Sequence, residues 1–95
     1  MVTEFAEIDV KPDTQADFIA AVEASKPLFG RASGCHSIEL HQSIESPLHF
    51  VLNIKWDSVA EHDVFRASPD FQIWRGNVGP YFAAAPNVWH SNTVV

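Results

Sequence analysis

Cysteine is nearly absent from this 95-residue sequence, in which Cys35 stands alone. A single thiol cannot close an internal disulfide, so the sequence excludes a small secreted scaffold held together by disulfides. The first residues, 1–5, contain neither a basic stretch nor an apolar one and give no support to a secretory signal. We therefore expect a cytoplasmic protein.

Basic residues and long apolar runs are also scarce. Six Lys and Arg stand against twelve Asp and Glu, which gives a formal net charge of −6, and the basic residues form no cluster. A surface that binds nucleic acid needs such a cluster, so the sequence predicts no nucleic-acid partner. Apolar stretches such as 18–22 are far shorter than the roughly 20 residues that span a bilayer, so we expect no membrane segment.

Motifs of several catalytic classes are missing as well. The sequence has no Gly-rich phosphate loop, no Ser-His-Asp order and no paired-carboxylate motif. Among its five histidines, His36 and His41 should point to opposite faces of one strand, while His41 and His49 have no third ligand nearby. We therefore predict no metal site. The only base next to Cys35 in the sequence is His36, which points to the other face, so Cys35 is interpreted as a small buried side chain.

Four segments have the pattern of β-strands. In Thr3 to Val10, alternate residues are apolar, which predicts a half-buried strand with Ala6, Ile8 and Val10 on one face. The other three are strand-like runs, of which the second is rich in β-branched and aromatic residues; they are Cys35 to Ser43, His49 to Trp56 and Asn87 to Val95.

The segments between the strands have helical patterns. Apolar residues share one helix face from Thr14 onward, and Pro27 should kink or shorten this helix. Ser58-Val-Ala-Glu61 predicts a capping box at a second helix, and Ser68-Pro69 predicts the start of a third. The resulting order, β-α-β-β-α-α′-β, predicts one α+β domain over 1–95. Its plan is ferredoxin-like βαββαβ, with a four-stranded antiparallel sheet and helices on one face.

The other face of this sheet has a mixed composition. If Phe50 and alternate residues after it face the helices, Val51 and Lys55 face away, together with Phe5 and Glu7 of the first strand. Such a face suits a partly wet contact with a second sheet, so we predict a homodimer formed through the sheet faces. The alternative is a monomer whose sheet face is covered by water.

Several motifs resemble those of one known family. They are Trp56-Asp-Ser58, Ala60-Glu-His62 and Ser68-Pro-Asp-Phe71, preceded upstream by Val10-Lys-Pro-Asp13 and Ser33-Gly-Cys35. In this order they resemble the antibiotic biosynthesis monooxygenase (ABM-type) family. The resemblance covers nearly the whole chain and is more specific for the fold than for the activity.

The resemblance implies a dimeric α/β barrel with a pocket in each subunit between the sheet and its helices. Active members of the family oxidise quinols, phenols or polyketide aromatics with molecular oxygen and without flavin or metal. Another branch degrades haem with an Asn on the first strand, and Thr3 to Val10 contains no Asn. The resemblance therefore implies no cofactor, and a small aromatic substrate with oxygen as the reaction partner.

Trp56 and His62 are the candidate catalytic residues. A neutral imidazole accepts a proton readily near pH 7, so His62 is the candidate general base, and Trp56 could stack on the substrate or donate to an oxyanion. Phe65 shares a helix face with His62, while Phe71 and Trp74 could close the same space. The alternative is that these side chains are ordinary core residues.

Three further residues are candidates for substrate binding. His90 lies on the last predicted strand and could face the pocket or the partner sheet. Tyr81 and Phe82 lie on the preceding loop, where they could cover the pocket or simply pack at its edge.

Two functions remain open at this point. The first is a cofactor-free, oxygen-dependent monooxygenase that acts on a small quinol or phenolic aromatic. The second is a non-catalytic dimeric barrel protein that binds a small apolar metabolite or acts in stress response. A titrating group inside the pocket would separate them.

Overall fold

Four strands pair antiparallel into one sheet in the computed structural model, which describes residues 1–95. The strands are β1 (Val2–Asp9), β2 (Cys35–Gln42), β3 (His49–Trp56) and β4 (Asn87–Ser91), in the spatial order β2-β3-β1-β4. The helices are α1 (Gln15–Gly30), α2 (Val59–Arg66) and α3 (Pro69–Val78), followed by a 3-10 turn at Gly79–Tyr81. This order and pairing confirm the predicted α+β ferredoxin-like fold.

The hydrophobic core lies between one face of the sheet and the helices. Alternate residues of β1 and β3 are buried there, and Phe18 of α1 packs edge-on against Phe50 of β3, with ring centroids 4.9 Å apart. Phe29 at the end of α1 contacts Phe65 of α2 and Trp74 of α3, so one aromatic side chain joins all three helices. These contacts join α2 and α3 to α1 on this face of the sheet.

The helix boundaries agree with the sequence signals only in part. Ser68 accepts a hydrogen bond from the backbone N–H of Phe71 at 3.3 Å, as its N-cap position predicts. Ser58 precedes α2 but makes no capping bond, so the predicted capping box is wrong although the start is right. Pro27 lies inside α1, which continues to Gly30. No helix is suited to cross a bilayer, since even α1 has only 16 residues.

One glycine links α2 to the turn before β2. Gly34 has a φ of 79°, and a Cβ there would lie 2.6 Å from Cγ of Glu61. The backbone N–H of Asp57 donates to the carbonyl of Gly34 at 2.8 Å. Because only glycine combines this φ with so close a contact, Gly34 fixes the position of α2 beside the end of β3.

Candidate functional site

A cavity of about 490 Å³ lies between the β1–β4 side of the sheet and helices α2 and α3. Its wall is mainly apolar and aromatic, with five titratable side chains among its lining residues. The apolar part includes Ile8, Leu52, Ile54, Phe65, Phe71, Trp74 and Phe82, and the titratable part consists of Glu4, His62, Arg66, Arg75 and His90. A few polar groups in a mostly apolar cleft are typical of small-molecule sites.

Glu4 places a buried carboxylate in this wall. It lies on the inner face of β1, two residues before Ala6, and only 5% of its surface is exposed. The indole N–H of Trp56 donates to its Oε1 at 2.9 Å. Trp56 itself is fully buried at the end of β3 and does not line the cavity. The tryptophan therefore holds the carboxylate from behind.

His62 connects Glu4 to a second histidine. Its Nε2 lies 3.2 Å from Oε1 of Glu4, and its Nδ1 lies 2.7 Å from Nε2 of His90. The imidazole also stacks on Trp56, with ring centroids 5.2 Å apart and an interplanar angle of 18°. Nδ1 is thus hydrogen-bonded to His90 while Nε2 lies close to Glu4, and the three side chains form a continuous line from Glu4 to His90.

Burial changes the charge states along this line. It raises the pKa of Glu4 to about 7, although the hydrogen bond from Trp56 and the charge of Arg66 oppose the rise. Burial lowers the pKa of His62 to about 4, with further lowering by His90 and Arg66. At neutral pH, His62 is therefore uncharged and Glu4 is close to its midpoint, which is the condition for exchanging a proton.

A neutral His62 carries one N–H, and this limits the hydrogen-bond pattern to two forms. In the first, Nε2–H of His62 lies 3.2 Å from an ionised Glu4, and Nδ1 of His62 accepts from His90. In the second, a protonated Glu4 donates to Nε2, and Nδ1–H of His62 donates to His90. The second form holds one proton more than the first, and with His90 neutral that proton stands on its Nδ1.

His90 ends the line at the open side of the site. It is half-buried, and it faces inward because it is the direct cross-strand partner of Glu4 in the β1–β4 register. Its Nδ1 makes no hydrogen bond within the chain, whereas its Nε2 is bonded to His62. His90 therefore presents a free ring nitrogen on the cavity wall.

The structure brings most of the predicted site residues together. His62, Phe65, Phe71, Trp74, Phe82 and His90 all line the cavity. Trp56 contacts the site from behind, and Tyr81 lies on the 3-10 turn, packed against the core and outside the cavity lining.

Three titratable residues of the cavity wall, Glu4, Arg66 and Arg75, were not predicted. Glu4 shares the inward-facing parity of Ala6 and Ile8, so continuing that alternation by one step would have found it. Arg66 and Arg75 had no such signal, because single basic residues on exposed helices are common. No group of three or more potential ligands is placed to hold a metal ion.

Comparison with known proteins identifies the family. The family model "Antibiotic biosynthesis monooxygenase" matches residues 1–77, most of the chain. The chain belongs to this family. The family assignment therefore agrees with the fold described above, in which the cavity lies.

Individual relatives support the same assignment. A crystal structure of a proposed antibiotic biosynthesis monooxygenase from Bordetella bronchiseptica is 47% identical, with a TM-score of 0.97 over 99% of this chain and 97% of the other. One from Nitrosomonas europaea shares the fold at 19% identity, with a TM-score of 0.85 and full coverage of both chains. The uncharacterized protein YczJ of Bacillus subtilis is 24% identical over 99% of this chain and all of its own.

Proposed function

We propose that this ABM protein is a cofactor-free, oxygen-dependent monooxygenase that acts on a small quinol or phenolic aromatic. The observation that carries the proposal is the line from Glu4 through His62 to His90, which runs from a buried carboxylate to the wall of an aromatic cavity. Family membership supports monooxygenase chemistry in general. The geometry supports a substrate that must lose a proton before it reacts.

The first step is removal of a phenolic proton. The substrate hydroxyl donates to the free Nδ1 of His90, which passes the proton of its Nε2 to Nδ1 of His62. His62 in turn passes its Nε2 proton to Oε1 of Glu4. The negative charge thereby moves from the buried carboxylate to the substrate. His90 is the direct base in this scheme, and His62 relays the proton instead of touching the substrate.

The phenolate then reacts with oxygen. It transfers one electron to O₂, and the resulting superoxide and aryloxyl radicals combine to form a carbon–oxygen bond. Loss of the ring hydrogen as a proton and cleavage of the O–O bond leave a quinone and water. One oxygen atom enters the product and the other enters water, so a quinol or phenol supplies all four electrons and no external reductant is needed.

The energetic cost of the proton transfer is moderate. A phenol with a pKa of about 10 gives its proton to Glu4, whose pKa is about 7. Three units correspond to roughly 4 kcal/mol, a small part of the ~16 kcal/mol barrier of a reaction at about 10 per second. The aromatic side chains Phe65, Phe71 and Trp74 provide the apolar wall against which a flat ring can pack.

We also propose that the protein is a homodimer that pairs through the outer sheet face. Phe5 and Trp89 stack there with ring centroids 4.7 Å apart, and 46% of Trp89 is exposed. A stacked aromatic pair beside polar side chains is typical of an interface core with a wet rim. The cytoplasmic location stays a prediction from the sequence.

A binding protein without catalysis is the second candidate. It is favoured by the fact that His62 is buried, with Nδ1 bonded to His90 and Nε2 3.2 Å from Glu4, as in a purely structural network. In that case the cavity would hold an apolar metabolite and the line of side chains would only support its wall.

Oxygen uptake distinguishes the two functions. The purified, metal-free protein is mixed with a panel of hydroquinols and polyhydroxylated aromatics, and His62→Ala and His90→Gln are compared with wild type. We expect protein-dependent uptake that falls by about 10²-fold or more in both variants, because each breaks the proton path. His49→Gln, on the outer face, is the matched control and should keep full uptake. Ligand binding without uptake across the panel would contradict the proposal and favour the binding protein.

A further inference from the structure

Arg75 is the one basic side chain of this protein that has no oxygen partner. The other five each contact an oxygen: Lys11 on Pro80, Lys26 on Glu23, Arg31 on Asp70, Lys55 on Thr3 and Arg66 on Asp63. Arg75 makes no hydrogen bond and no ion pair. In a chain of net charge −6, carboxylates are plentiful, so an arginine without one leaves its donors available for a ligand.

Two aromatic rings hold this guanidinium at the cavity rim. The Cζ atom of Arg75 lies 5.5 Å from the ring centroid of Phe82 and 6.0 Å from that of Phe71. Both rings line the cavity, as does Arg75 itself, which is exposed to solvent. Cation–π contacts occupy the face of a guanidinium and leave its edge N–H groups free.

Arg66 adds a second positive charge to the same rim. It lines the cavity from the end of α2 and is only loosely paired, with its nitrogen 3.9 Å from Oδ1 of Asp63. Two of the six basic residues of the chain thus border one cavity, although acidic residues outnumber basic ones by two to one over the whole protein. The only carboxylate of the lining, Glu4, is buried on β1.

From this arrangement we propose that the natural ligand is an aromatic that carries a carboxylate, bound at the rim by Arg75 with help from Arg66. The inference rests on the proposed function for its choice of a phenolic ring and adds the anionic substituent. The hydroxyl faces His90, and the carboxylate accepts hydrogen bonds from the free edge of the guanidinium. The planar ring between them packs against the aromatic wall.

A matched pair of probes isolates the charge. The two compounds are 2,5-dihydroxybenzoate and its methyl ester, which share the ring and the hydroxyls and differ in one negative charge. Binding is measured by titration calorimetry without oxygen, so that no turnover is required. We expect the acid to bind about tenfold more tightly than the ester, and its affinity to fall as salt is added.

Two variants test whether the preference for the acid over the ester depends on the arginines at the cavity rim. Arg75→Gln should reduce the acid-over-ester ratio to about threefold or less, and Arg66→Gln should reduce it by a smaller factor. Lys26→Gln, on an exposed part of α1, is the matched control for net charge and should keep the ratio. Equal affinity for both compounds in wild type, or a ratio unchanged in Arg75→Gln, would overturn the inference.

The same probes separate this inference from the proposed function. Arg75-dependent preference for the acid without oxygen uptake would support the anionic ligand and contradict the monooxygenase. Oxygen uptake with the ester as efficient as with the acid, together with equal binding, would support the monooxygenase and overturn the anionic ligand.

Discussion

Glu4 and Glu7 lie on opposite faces of β1, and each of them contacts one tryptophan and one histidine. Glu4 accepts the indole N–H of Trp56 at 2.9 Å and lies 3.2 Å from a ring nitrogen of His62. Glu7 accepts the indole N–H of Trp89 at 3.2 Å and lies 3.7 Å from a histidine nitrogen on β3. The side chain of Glu4 is 6% exposed, whereas that of Glu7 is 37% exposed.

The two sets have the same residue types and differ in burial. Burial, more than composition, therefore determines the protonation chemistry of each carboxyl group. Water can solvate a charge on Glu7, but the helices exclude water from Glu4, so its charged form is disfavoured and its pKa rises. The inner carboxyl is therefore able to gain and lose a proton near neutral pH. The outer set has the makeup of an interface, in which polar groups border an aromatic pair.

The largest expected effect is on turnover. Glu4→Gln removes the proton acceptor at the end of the relay but keeps the size of the side chain, so oxygen uptake should fall by about 10²- to 10⁴-fold. Glu7→Gln makes the same change on the outer face and should leave uptake within about twofold. Steady-state oxygen consumption with the best quinol of the panel measures both. Equal losses in the two variants would break the distinction between the faces.

The next effect concerns stability and pH. The pKa of Glu4 is raised from 4.5 to about 7 in the folded protein, so the unfolded chain releases this proton first as pH rises. Wild type should therefore lose about 3 kcal/mol of folding free energy from Glu4 between pH 4.5 and 7. Glu4→Gln has no such proton, so its stability relative to wild type should rise by that amount over the same range.

Urea denaturation at several pH values measures this difference. His62, whose pKa is lowered to about 4, contributes stability with the opposite pH dependence and is present in both proteins, so His62→Gln with and without Glu4→Gln separates its contribution. Glu7→Gln is the control. A stability difference between Glu4→Gln and wild type that does not change from pH 4.5 to 7 would contradict the account.

The smallest expected effect lies on the outer face. Trp89→Lys places a charge in the proposed dimer interface and should raise the dimer dissociation constant about 30-fold, which corresponds to roughly 2 kcal/mol. Sedimentation equilibrium measures the change, and Val64→Lys, on an exposed position of α2, serves as the control. A wild-type protein that sediments as a monomer at all concentrations would refute the proposed dimer.

The fold was predictable because it depends on local patterns. The alternation of apolar residues predicts β1 and β3, and Ser68-Pro69 predicts the start of α3. Each of these patterns lies within a few residues of the sequence. The Ser58 signal gave the right start for α2 without its capping bond, since the position of α2 depends on Glu61 packing on Gly34. That contact joins residues 27 positions apart along the sequence and has no local signature.

The sequence predicted individual residues of the site but not which of them are in contact. The aromatic residues and His62 stood out as residue types, but their partners are determined by strand register. Glu4 meets His90 because the two are cross-strand partners between β1 and β4, elements at opposite ends of the chain. Sequence reasoning predicted His62 as the general base, and the proposed relay gives the direct role to His90, whose Nδ1 has no partner within the chain.

The most direct test is a titration of the carboxyl groups themselves. Protein labelled with ¹³C at the glutamate side-chain carboxyl is followed by NMR from pH 3 to pH 9, with Glu4→Gln and Glu7→Gln used to assign the two signals. We predict one carboxyl signal that titrates near pH 7 and disappears in Glu4→Gln. If the Glu4 signal instead titrates near the ordinary glutamate value of about 4.3, the proposed proton relay is contradicted.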